Sequence, residues 1–69
     1  MLTERQREQL ARYTDDTYAM LSRMTVKQLR TYANQHHVPM GGQSTKAGLI
    51  SEMVGQLRNR MLLEMEGEL

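Results

Sequence analysis

Residues 25–57, TVKQLRTYANQHHVPMGGQSTKAGLISEMVGQL, decide how the chain folds. Thr25 is a good helix N-cap, and Gln28 three positions later completes a capping box, each side chain satisfying a backbone N–H that a helix start leaves unpaired. Val26, Leu29, Ala33 and Tyr32 then recur on one helical face, which must be buried against something. This helix cannot pass Val38, because Pro39 disfavours the α conformation in the residue before it. Ser44 or Thr45 restarts the chain as the next N-cap, and Leu49, Ile50, Met53, Val54 and Leu57 form the answering apolar stripe. The stretch therefore predicts two short amphipathic helices facing each other across a loop.

The flanks extend this unit in both directions. Thr3 and Gln6 form a second capping box, and Glu4 suits the positive end of a helix dipole. Leu10, Tyr13, Thr17, Leu21 and Met24 follow at helical spacing, which predicts a helix from about Glu4 to Arg23. On the other side the stripe continues through Met61, Leu62 and Met65, so residues 58–69 read as an extension of the last helix. Its simplest use is to pack on the N-terminal helix, with Leu10, Tyr13 and Leu21 against Leu57 and Met61. Methionine also fits exchangeable surfaces, so a homodimer through the C-terminal helix is the competing use. Gly48 and Gly55 share one face of that helix and predict either a close backbone approach or an uncompensated surface glycine. The expected fold is all-α: a small three-helix domain, one domain over residues 1–69, with a central helix–loop–helix between long terminal helices.

Length and composition narrow the rest. A chain of 69 residues buries only about 60% of its unfolded surface, so its core is marginal. It has no cysteine, hence no disulfide and no cysteine metal site. No apolar run is long enough to span a membrane and no leader is evident, which makes the expected location cytoplasmic, and nucleoid- or DNA-associated if the chain binds DNA. The formal net charge of +1 hides an uneven distribution. Between Arg23 and Arg60 the basic residues Arg23, Lys27, Arg30, Lys46, Arg58 and Arg60 face Glu52 alone, and the acids Glu4, Glu8, Asp15, Asp16, Glu64, Glu66 and Glu68 all lie outside. A basic middle between acid-bearing ends fits a patch for an anionic partner, although a solvated helix surface gives the same pattern.

The pattern Thr25-Val26, Leu29, Tyr32-Ala33, Val38-Pro39, a loop glycine and Lys46-Ala47-x-Leu49-Ile50 resembles the SAP domain, over about half the chain. That family is a helix–extended loop–helix nucleic-acid-binding module related in shape to LEM domains and to the N-terminal domain of the Rho terminator. Two departures stand out: SAP domains place glycine where this chain has His37, and their loop is shorter between the glycine and the lysine. Histidine is among the non-glycine residues enriched at positive φ, so His36 or His37 is expected to adopt it. The resemblance implies DNA binding, and LEM-like relatives imply protein binding on the same scaffold.

Residue by residue, the candidate nucleic-acid contacts are Lys27, Arg30, Gln43, Ser44, Thr45 and Lys46, with Arg23 and Arg58 extending the patch. Only Lys46 occupies a polar position of the family motif; the others rest on charge and placement. Lys27, Arg30, Thr31 and Asn34 share a face opposite the apolar one, where long cations beside short hydrogen-bonding groups suit phosphates and groove edges. The loop from Met40 to Lys46 is glycine-rich and opens a helix, a place where backbone N–H groups and a lysine can hold a phosphate, though it lacks the Walker A order. The pairs His36-His37 and Asp15-Asp16 diverge on a helix and make poor metal sites. No constellation of nucleophile, base or paired acids can be assembled, so no enzyme and no cofactor is expected. The expected function is nucleic-acid binding, DNA ahead of RNA, with low sequence specificity. The alternative is a protein-interaction or dimerisation module with no nucleic-acid binding.

Overall fold

The computed structural model describes residues 2–39, 42 and 44–67. These residues form three α-helices and no strand: α1 Glu4–Ser22, α2 Val26–Gln35 and α3 Lys46–Gly67. The all-α, three-helix architecture with long terminal helices is thus observed. Residues 58–67 continue α3 without a break. No helix among the described residues is long and apolar enough to cross a membrane.

Each helix begins where its side chains can cap it. Thr3 and Thr25 both make reciprocal capping boxes, Thr3 with Gln6 and Thr25 with Gln28. Thr45, rather than Ser44, starts α3: its hydroxyl accepts from the Gly48 N–H at 3.0 Å, and its carbonyl accepts from Leu49 at 2.9 Å. The end of α2 has a definite geometry. His37 has φ 54°, the Val38 N–H donates to the Ala33 carbonyl at 2.8 Å, and the His37 N–H donates to the Asn34 carbonyl at 3.3 Å. These two bonds around a left-handed residue make a Schellman ending. Its usual apolar contact is present too, since Ala33 and Val38 belong to one buried cluster.

The left-handed conformation costs an L-residue about 1–2 kcal/mol, a cost glycine escapes while adding freedom to the unfolded chain. His37→Gly is therefore expected to stabilise the fold by about 0.5–1 kcal/mol, raising the midpoint by about 2–8 °C in a domain this size. A lower midpoint in thermal circular dichroism would contradict this account of the turn.

α1 and α3 run antiparallel. At one end the Lys46 ammonium donates to the Ser22 carbonyl at 3.1 Å, joining the start of α3 to the end of α1. Further along, Arg58 and Leu62 of α3 share a cleft with Leu10 and Ala11 of α1. α2 packs on α3, so that Leu21, Leu29, Ala33, Val38, Leu49, Ile50, Met53 and Leu57 form one core. Leu21, Leu29, Leu49 and Met53 are essentially without solvent contact. Tyr13 packs on the edge of this core, and Leu10 and Met65 are buried outside it. Leu57 and Met65 are thus buried within the single chain, while Met61 and Leu62 are half-buried.

One expectation needs correction, and one pair of alternatives is decided. Val26 does not join the buried face: it is 37% exposed, because as the first helical residue it precedes the turn over which α2 meets the core. Of the two readings of Gly55, the uncompensated surface glycine is the one observed. A Cβ added there would meet nothing within 4 Å, and the residue is exposed.

Candidate nucleic-acid interface

Because α1 and α3 are antiparallel, the charge pattern of the sequence becomes a pattern in space. The end of α1, the start of α2 and the start of α3 lie together, joined by the bond from Lys46 to Ser22. Arg23 follows Ser22 directly, and Lys27 shares a recess with Met24 of the same junction. Arg30 stands one helical turn beyond Lys27 on α2. Arg23, Lys27, Arg30 and Lys46 are all exposed. The opposite end of the antiparallel pair carries Glu4 and Glu8 at the start of α1 and Glu64 and Glu66 near the end of α3, with Arg5 and Arg7 among them.

Lys46 has a structural duty as well as an exposed charge. Its contact with the Ser22 carbonyl places a cation at the negative end of the α1 dipole. An ammonium has three N–H donors, so this one bond leaves two for another acceptor. Ser44 and Thr45 are exposed at the α3 start, with the Thr45 hydroxyl engaged as the cap. Gln43 lies outside the described residues, as do Met40 and Gly41 of the loop.

Arg58 does not join this group. It lines a cleft of about 530 Å³ between α1 and α3 with Leu10, Asp15 and Leu62. Asp15 is seven residues before Ser22, which is about 10 Å along α1. Along α3 Arg58 stands twelve residues beyond Lys46, about 18 Å, and because successive residues rotate by about 100°, Arg58 and Arg60 point nearly opposite ways. The Arg60 guanidinium instead donates to the carbonyls of both His36 and His37. Gln56, one turn earlier, donates to the Pro39 carbonyl at 2.8 Å and to the Glu52 carboxylate at 3.0 Å. α3 thus holds the backbone at the exit of α2 from outside the core. Arg60 belongs to the fold rather than to the basic surface.

A feature missed from the sequence lies on α2. Met24, Lys27, Gln28, Thr31, Tyr32 and Gln35 line a shallow recess of about 330 Å³. The Tyr32 ring is stacked by His36 at 4.1 Å between centroids, with 27° between planes. The signal was present: Gln28, Thr31, Tyr32 and Gln35 recur at helical spacing, forming a second stripe beside the cations. Among the described residues, no group of three or more His, Asp or Glu side chains could hold a metal ion.

Comparison with known proteins adds no assignment: no protein-family model, no curated protein and no solved structure matches this chain.

Proposed function

We propose that this protein is a small nucleic-acid-binding module, DNA ahead of RNA, that grips the sugar–phosphate backbone with low sequence preference. One observation carries the reading. Three exposed cations, Arg23, Lys27 and Lys46, stand at the junction of α1, α2 and α3, with Arg30 one turn further along α2, whereas Glu4, Glu8, Glu64 and Glu66 stand at the other end with Arg5 and Arg7 among them. The SAP-like register adds to it, because Lys46-Ala47 and Val38-Pro39 fall where that family has its helix start and its loop. Phosphate contacts from such residues fix position without reading bases, so affinity is set by charge.

The test is fluorescence anisotropy of a labelled DNA duplex across a salt series. With four phosphate contacts, log K should fall against log salt with a slope of about −3.6. Lys27→Ala should flatten it by about one unit and weaken all sequences alike. Substitution of Glu64 or Glu66 should leave it unchanged. No binding at low salt with tens of micromolar protein would turn the reading to the protein-interaction module, whose apolar docking hardly responds to salt.

A further inference from the structure

We infer that the recess on α2 receives an unpaired nucleobase of a single-stranded segment, with a neighbouring phosphate on Lys27. This rests on the nucleic-acid reading above and narrows it. Three observations support it. First, the recess has an aromatic wall that is already fixed: His36 is stacked on Tyr32, while Tyr32 itself packs partly on the core. His36 is not part of the recess lining, so it braces the ring without filling the space. A base stacking there meets a surface whose rotamer freedom has already been lost.

Second, the rim has the hydrogen-bonding groups that a base edge needs, and the fold orients them. The Gln28 side-chain oxygen accepts from the Thr25 N–H at 2.9 Å, which leaves its amide nitrogen as a donor. The Thr31 hydroxyl donates to the Lys27 carbonyl at 3.1 Å, leaving its lone pairs to accept. Gln35 offers both functions. Every base carries donors or acceptors on its edge and a π-face, so such a rim tolerates many bases, consistent with low specificity. Third, the charge is right. Lys27 is both a wall of the recess and a member of the basic end, so a strand seated in one is guided along the other.

The experiment compares three labelled probes with the full chain at low salt: an oligo(dT) of about twelve nucleotides, an abasic strand of the same length and charge, and a duplex, a length within the usual site size. The base-bearing strand should bind roughly 5- to 100-fold tighter than the abasic one, the range that stacking one base on an aromatic ring supplies. Tyr32→Leu, which keeps an apolar side chain on the core, should erase that ratio and leave duplex binding within about twofold; Tyr32→Phe should retain it. Tyr18→Leu, at the exposed tyrosine of α1, should have no effect. Equal affinity for the two strands with duplex binding intact overturns the recess inference and leaves the backbone-binding reading standing. This comparison needs no variant, so it decides the matter even if Tyr32→Leu is unstable. A ratio lost in Tyr18→Leu instead overturns it as well. Failure of all three probes removes both readings.

Discussion

Removal of residues 1–20 is expected to leave a chain that is largely unfolded at 25 °C. The two central helices do not enclose their own core, since Leu21 is fully buried among Leu29, Leu49 and Met53 and owes its position to α1. Losing α1 removes Leu10 and Tyr13, frees Leu21 and uncovers the α3 stripe at Leu57 and Met65. Burying one such side chain contributes about 1.5–3 kcal/mol, so three or four of them amount to about 5–12 kcal/mol. The whole domain has about 3–10 kcal/mol at the usual 0.05–0.15 kcal/mol per residue. The loss is therefore as large as the stability itself. Far-ultraviolet circular dichroism should show most of the helix signal gone, and light scattering should show association through the bared apolar face. A shortened chain that stays monomeric with an unchanged melting temperature would mean that residues 21–69 fold by themselves.

The second large effect concerns binding. Changing Lys27, Arg30 and Lys46 together to glutamine should reduce duplex affinity by about three orders of magnitude at about 50 mM salt and bring the slope to about −0.9. Each phosphate contact with a slope of about 0.9 is worth roughly one decade at that ionic strength. Glutamine is chosen because Lys46 donates to the Ser22 carbonyl, and an amide keeps a donor at that place. Lys27 and Arg30 are exposed on α2, so the melting temperature should change little. A variant that keeps its affinity while remaining folded would locate the ligand elsewhere.

What could be read in advance followed the strength of the local signal. Both capping boxes are written in two residues each, and both formed. The left-handed residue was narrowed to a histidine pair because a glycine position of the resembled motif was filled by something else, and His37 adopted it. The antiparallel packing followed from an α3 stripe too long for α2 to cover. Other features have no such signature. Arg60 and Gln56 bind main-chain carbonyls of His36, His37 and Pro39, and a carbonyl is present at every position, so no residue type betrays the acceptor. Arg60 therefore looked like part of the cationic run. The charge run groups Arg58 with Lys27 for the same reason, since proximity in charge along the chain says nothing about which side of α3 an arginine faces. Val26 was misread because an apolar side chain in the first turn has the right angle for burial but not the right height.

The antiparallel pairing of α1 and α3 sets Arg23 and Lys46 at one end of a nearly neutral molecule and Glu64 and Glu66 at the other. Its longest dimension is 36 Å, several times the screening length of about 8 Å at physiological salt. A polyanion at contact range therefore feels one end only, and the net charge of +1 is a poor measure of the attraction. On the nucleic-acid reading proposed above, a molecule within about one screening length of a charged strand turns its α1–α2 junction inward, which raises the productive fraction of encounters. Association rates should then respond to a change at Arg23 or Lys46 and be almost indifferent to one at Glu64, although both alter the net charge equally.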